Sequence, residues 1–419
     1  MGVLEMLTNV YSRYRLFLIG ALAIIITGML SASAQAWQSS LGAWQYREKL
    51  TFNHTGTTLN NFPVLVKLTP ARINYQHVKP DCSDLRFVDA NDTTMLPYEV
   101  EFCNPNGVTS VWVNVPSLSA GSDFIWLYYG NPVAQRAEQP QQVWTEYLTV
   151  FHLNESSGGT AYDSSPNQLN ATVSGDPQRG PEHGFIGPGY HVRLEDQICL
   201  NQYAQNTAPF NEGTYSLMIR RDWSDMLTGK DNSVPFGYYQ IGGMYSGWYI
   251  PPGGNIDDGC DAGLEFFWNY VAQEFRDSDL FDPNDPNAWD NFNVLFTNGC
   301  NPNKDANFYR DVNDEHKAVP QDTWTLLTLT WSDSQGQFRF YANGSLVYQD
   351  RWSPVGPANT PLSYWAVIGN PYCGNYTGMV GNADEVRYAD HPKSPDWVMA
   401  DGKSILDQLI NFGMEEKKF

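Results

Sequence analysis

Trp324–Trp352 reads WTLLTLTWSDSQGQFRFYANGSLVYQDRW, and its pattern decides the fold class. Leu327, Leu329 and Trp331 are apolar at alternate positions, as are Phe338, Phe340 and Ala342. Successive side chains leave a strand on opposite faces, so this period of two marks strands with one greasy face. Ser332 to Gly336 is a polar turn. Asn343-Gly344 is the dipeptide that tolerates positive φ at both central positions of a tight hairpin. Three short antiparallel strands follow, and their apolar face requires a second layer, which makes a two-sheet sandwich the expected architecture.

The rest of the chain agrees with an all-β class. Its 419 residues allow two or three domains. Gly (35) and Pro (26) break the sequence often, and long helical patterns are rare. The net charge of −21 sets the surface against phosphate backbones, so nucleic acid is not an expected partner. Residues 1–36 have the form of an export signal. Arg13 and Arg15 precede the apolar run Leu16 to Leu30, and Ala34-Gln35-Ala36 is a small-x-small cleavage site before Trp37. The run is short for a full span, which takes ~20 residues, but an uncleaved anchor through 16–30 stays open as the alternative. The expected location is therefore extracytoplasmic: periplasmic, cell-surface or secreted. Six cysteines without a CxxC pair argue for disulfides rather than zinc clusters, with Cys82–Cys103 and Cys260–Cys300 as the expected bridges.

Residues 42–138 carry short strands broken by Gly, Pro and Asn, the pattern of a small β-sandwich. Their words are Trp44-Gln45-Tyr46-Arg47, Phe62-Pro63-Val64-Leu65-Val66-Lys67-Leu68, Asp84-Leu85-Arg86-Phe87, Leu96-Pro97-Tyr98-Glu99-Val100-Glu101, Trp112-Val113-Asn114-Val115-Pro116 and Leu127-Tyr128-Tyr129-Gly130-Asn131. In this order they resemble the family known as domain of unknown function 2341. The resemblance implies an extracytoplasmic β domain, associated in some members with proton channels that energise envelope transport. It transfers no catalytic residue.

Residues 145–400 hold Leu153 to Ser165, Trp324 to Thr330, Tyr341 to Gly344 and Asp384 to Arg387. These resemble the laminin-G-like, concanavalin A-like jelly roll. Between them, an insert at about 225–320 is longer than a simple sandwich needs and is expected to be a long loop region, where function concentrates. Ser394 and Pro395 mark a helix start. Ile405, Leu406, Leu409 and Ile410 suggest a short C-terminal helix over 403–419.

Candidate chemistry falls in the insert. Tyr238, Tyr239, Tyr245, Trp248, Tyr249 and Trp268 could stack on a sugar ring or a protein partner, or fill the core beneath. Asp257, Asp258, Asp261, Asp282, Asp285 and Asp290 lie in loop-like sequence and offer hard oxygen ligands for Ca²⁺, although Asx turns explain the same composition. No cofactor is required by any motif. Asp384 and Glu385 are adjacent on a strand and are expected on opposite faces, with Asp384–Arg387 as a fold-closing contact. A glycosidase pair flanking one bond is then not formed. The histidines are scattered, and no G-x-S-x-G or H-E-x-x-H occurs. The expected function is a non-enzymatic binding or adhesion protein for a glycan or envelope protein. The alternatives are an accessory subunit of an envelope assembly and a glycoside hydrolase with an unrecognised acid pair.

Overall fold

The computed structural model describes residues 42–121, 123–193, 195–200, 212–221, 239–245, 262–269, 291–298, 308–311, 320, 322–332, 334–351, 364–368 and 380–418. The expected signal at 1–36 and the expected Cys260–Cys300 bridge lie outside them.

The opening hairpins form as read. The strands are Thr325–Ser332, Gln337–Ala342 and Ser345–Arg351. Asn343 and Gly344 take φ of 52° and 77°, the conformation that joins strands with a two-residue turn. Leu327, Leu329, Trp331, Phe338 and Phe340 enter one core. The first strand differs from expectation in one respect: every residue of Thr325–Ser332 is buried, on both faces. The polar-side residues Thr328 and Thr330 are 2% exposed, and Leu326 joins a second core on the other side.

That second core explains the burial. The first sandwich pairs a sheet of Tyr46–Phe52, Phe124–Tyr129, Arg86–Asp89 and Met95–Leu96 with a three-stranded sheet of Leu59–Leu68, Thr109–Leu118 and Tyr98–Phe102. Its apolar interior, including Phe62, Leu65, Val111, Trp112 and Leu127, runs without a break into Met218, Leu326, Ala389 and Trp397 of the second sandwich. Trp44–Lys417 therefore form one unit. Cys82 and Cys103 are bridged, with Cα atoms 6.0 Å apart, as expected.

The second sandwich has two long sheets. One runs Gln178–Gly180, Gly189–Val192, Gly381–Ala389, Glu212–Arg221, Thr325–Ser332, Gln337–Ala342 and Ser345–Arg351, with Thr149–Phe151 added to Gly381–Ala389. The other runs Phe308–Asp311, Asn291–Asn298, Ala262–Asn269, Tyr239–Tyr245, Tyr364–Ile368, Gln197–Cys199, Ala171–Ser174 and Thr160–Ala161. Four of these strands come from the insert at about 225–320, so that segment extends a sheet and is not simply a long loop. The alternation in Leu264, Phe266 and Trp268 supports this, since it is strand periodicity.

Two expectations near the C-terminus are corrected. The helix is Pro395–Ile405, started by the Ser394 hydroxyl accepting from Trp397 N at 3.1 Å. It does not continue over 403–419. Asp407 turns the chain at φ 62°, and Ile410–Phe412 and Glu416–Lys417 then pair with Tyr46–Phe52. The first strand needs partners for its edge hydrogen bonds, and a returning strand meets that need while still burying Ile405, Leu409 and Ile410. The helix covers another edge in the same way, since Ser404 Oγ accepts from Leu65 N at 2.8 Å.

Candidate functional site

On the strand Tyr98–Phe102 Glu99 pairs with Trp112 and the register shifts at Glu101, and both carboxylates are buried. Trp112 Nε1 donates to Glu101 Oε2 at 2.7 Å, and Trp144 Nε1 donates to Glu99 Oε2 at 2.6 Å. The two indoles meet edge to face, 4.9 Å apart. Ser164 Oγ gives Glu99 a further hydrogen bond at 2.8 Å.

The second sandwich supplies the other half. The strand Gly381–Ala389 carries a bulge opposite Leu217, where its register against Glu212–Arg221 shifts between Ser216 and Met218. Ala383, Val386 and Tyr388 face the sandwich core. The spacing of three between Ala383 and Val386 leaves both Asp384 and Glu385 on the outer face, against the first sandwich. The expectation of opposite faces is thus overturned by one extra residue, with Glu385 itself at φ 51°. The expected Asp384–Arg387 contact is also replaced. Arg387 makes a bidentate pair with Asp401 of the helix, both bonds 2.9 Å, and Asp384 Oδ2 accepts the backbone N–H groups of Phe185 (2.7 Å) and Ile186 (2.9 Å).

His152 joins the two halves. It follows the strand Thr149–Phe151, and the pairing of Phe151 with Val386 brings it opposite Glu385. Its Nδ1 makes a very short contact with Glu385 Oε1 and lies 3.6 Å from Glu101 Oε2; its Nε2 lies 3.2 Å from Glu99 Oε2. One ligating atom from each of Glu101, His152 and Glu385 falls within 4.8 Å of the others. These three can hold a metal ion.

The electrostatics follow from burial. Burial disfavours the charged imidazolium, yet Glu385, Glu99 and Glu101 together hold His152 well above its ordinary value. Burial likewise opposes the Glu99 carboxylate, but His152, Trp144 and Ser164 outweigh it and keep Glu99 below its usual range. Glu101 is pushed well above that range by burial first and then by Glu385. Burial and Glu385 push Asp384 up to about 7. Glu101 Oε1, Asp384 Oδ1 and Glu385 Oε2 are buried without a hydrogen-bond partner.

Both halves of this seam lie within recognisable families. Residues 81–167 match the family model of a domain of unknown function, DUF2341. Residues 278–399 match the concanavalin A-like lectin/glucanases superfamily. The DUF2341 match holds Glu99, Glu101, Trp112, Trp144, His152 and Ser164, and the concanavalin A-like match holds Asp384, Glu385 and Arg387. The DUF2341 match thus runs past the first sandwich into Thr149–Phe151, a strand of the second. No sequence among curated proteins matches this chain.

Solved structures with a similar fold include domain 4 of AbnA, a GH43 extracellular arabinanase from Geobacillus stearothermophilus, in complex with arabinotriose. It is 14% identical, with 61% of this chain and 98% of that chain covered and a TM-score of 0.38. The botulinum neurotoxin serotype D binding domain is 10% identical, covering 62% and 51%, with a TM-score of 0.38. The binding domain of Paraclostridial Mosquitocidal Protein 1 is 11% identical, covering 64% and 53%, with a TM-score of 0.40. At these scores the likenesses carry no argument about ligands.

Of the residues expected to bind, Tyr239, Tyr245 and Trp268 lie on described strands. Tyr239 pairs in register with Trp268, which pairs in turn with Phe292, so the three occupy one row across three strands. Tyr245 pairs with Tyr364 on its other side. Tyr238, Trp248 and Tyr249 lie outside the described residues, as do Asp257, Asp258, Asp261, Asp282, Asp285 and Asp290. The seam itself was visible in the sequence only as separate words. The E-V-E alternation and the Trp112 motif could have flagged its first half; nothing local announces the bulge at Glu385.

Proposed function

We propose that this chain is an exported, non-enzymatic binding protein that recognises a glycan or an envelope protein through its second sandwich. One observation carries the reading: the insert lengthens a lectin-type sheet by four strands and brings Tyr239, Trp268 and Phe292 into one cross-strand row. Aromatic rings with a polar handle suit both sugar rings and protein surfaces.

The test is a glycan-array screen of the mature chain from Trp37 to Phe419, with and without chelator. Specific glycan hits support the lectin reading, and hits that weaken in chelator would add calcium to it. A blank array under both conditions rejects a glycan ligand. Capture of an envelope partner on the same protein would then favour the protein-binding form of the reading.

A further inference from the structure

The buried seam contains more acid than its bases can neutralise. Glu99, Glu101, Asp384, Glu385 and Asp401 are set against His152 and Arg387, with Lys67 at the margin. Arg387 is bidentate to Asp401, and its Nε also lies 3.7 Å from Glu385 Oε2. Buried polar atoms are normally paired; Glu101 Oε1 and Asp384 Oδ1 here have no hydrogen-bond partner, and Glu385 Oε2 has only the 3.7 Å ion pair with Arg387. The side chains of Glu101 and Glu385 are both 0% exposed, so bulk water does not supply the missing partner.

We propose that Glu101, His152 and Glu385 form a binding site for a divalent cation of the zinc class, fastened across the seam between the two sandwiches. The donor set is one imidazole nitrogen and two carboxylates, the mixture that suits zinc better than calcium, which takes six to eight oxygens. The imidazole is oriented for the task. Glu99 faces Nε2 at 3.2 Å and is itself fixed by Trp144 and Ser164. A carboxylate on the far nitrogen of a ligating histidine sets its tautomer and ring orientation; at the near nitrogen the ion would replace the proton now shared with Glu385. That near nitrogen, Nδ1, faces both Glu101 and Glu385.

The spacing also fits. Four-coordinate zinc with ligands at ~2.1 Å puts neighbouring donor atoms ~3.4 Å apart. His152 Nδ1 and Glu101 Oε2 are 3.6 Å apart. Glu385 is closer to the imidazole than that, so its carboxylate would draw back to admit the ion. Asp384, whose Oδ1 has no hydrogen-bond partner, is a further carboxylate on the same outer face. The backbone is held in sparsely populated conformations on both sides of the site, at Leu153 (φ 56°) and Glu385 (φ 51°). Such conformations persist where the surroundings over-determine them, and they cluster at ligand sites.

The experiment uses untagged mature protein, Trp37 to Phe419. Elemental analysis after purification without chelator is followed by Zn²⁺ titration of the stripped protein, then by Co²⁺ substitution. The proposal expects one tightly bound zinc per chain and a Co²⁺ visible absorption band of tetrahedral intensity. It also expects a change in tryptophan fluorescence, because Trp112 and Trp144 touch the seam carboxylates. Glu101→Gln keeps the shape of the side chain and is expected to weaken Zn²⁺ at least tenfold while the protein still folds. Asp282→Asn/Asp285→Asn in the insert is expected to leave that affinity unchanged. Absence of bound metal together with absence of a Co²⁺ band in folded wild-type protein overturns the site. So does full Zn²⁺ affinity in Glu101→Gln, or loss of that affinity in the insert variant. The wild-type result stands by itself if a variant fails to fold.

Discussion

Glu99 Oε2 lies 3.2 Å from His152 Nε2, joining a strand of the small sandwich to the segment that leads into the lectin-type sandwich. On the other side of the same ring, Glu385 meets Nδ1 from the second sandwich. One imidazole therefore ties three elements that are far apart in sequence. The seam is a polar patch surrounded by the continuous apolar core of Trp112, Trp144, Met218 and Leu326.

The Arg387–Asp401 pair gives the clearest stability prediction. Both residues are almost fully buried, and the pair fixes the helix Pro395–Ile405 to the central strand. Asp401→Ala leaves the guanidinium with only Glu385 Oε2, 3.7 Å from its Nε, and is expected to cost ~3 kcal/mol, read by urea unfolding. Replacing both partners with apolar residues, Arg387→Met with Asp401→Leu, is expected to recover most of that loss.

The Cys82–Cys103 bridge spans 21 residues. Cys82→Ser/Cys103→Ser is expected to lose about 3 kcal/mol of stability and remain folded, since the core around it is extensive. A non-reducing peptide map should recover the Cys82–Cys103 cross-link. It should also link Cys199, which is disulfide-bonded, to one of Cys260, Cys300 and Cys373.

Glu48 predicts a pH dependence away from the seam. It is 1% exposed on the strand Tyr46–Phe52, and neither carboxylate oxygen has a hydrogen-bond partner. Burial, with Glu415 adding and Arg72 opposing, pushes it up to about 7 from 4.5. The folded protein then keeps a proton that the unfolded chain releases, so this contribution to stability is complete below pH 4.5 and is lost as pH rises through 7. Glu48→Gln should be more stable than wild type at pH 8, with the gap closing near pH 4. Paired urea titrations at the two pH values check this.

The turn and the helix also meet closely. A Cβ on Gly402 would stand 2.7 Å from Asn343 O and from Gly344 Cα, both backbone atoms. Gly402→Ala is therefore expected to destabilise by ~1–3 kcal/mol through overpacking, despite the better helix propensity of alanine. A thermal melt would show the loss.

What was legible in the sequence follows from how local each signal is. The hairpins over Thr325–Arg351 were legible because alternation and Asn343-Gly344 act within a few residues. The Cys82–Cys103 bridge was legible from proximity. Ile405, Leu406, Leu409 and Ile410 misled because their spacing serves equally a helix end followed by a turn and a strand, and the deciding factor was the distant edge of Tyr46–Phe52. Parity misled at Asp384 and Glu385, since a single bulge residue reverses every inference that counts by two. The insert's strands were hidden between segments rich in Asp, Pro and Asn, although Leu264, Phe266 and Trp268 carried the alternation. The two halves of the seam could not be joined without the fold, because its members come from residues 99, 101, 152 and 385 and meet only by packing.

The reading of this chain as a binding protein rests on the row of Tyr239, Trp268 and Phe292, and one measurement tests it most directly. Wild type and Trp268→Ala would be titrated side by side against the strongest glycan or envelope partner found, with thermal midpoints recorded for both. The account predicts at least a tenfold weaker affinity in Trp268→Ala with the midpoint kept within a few degrees. Equal affinity in the two proteins would contradict it and move the binding surface away from the extended sheet.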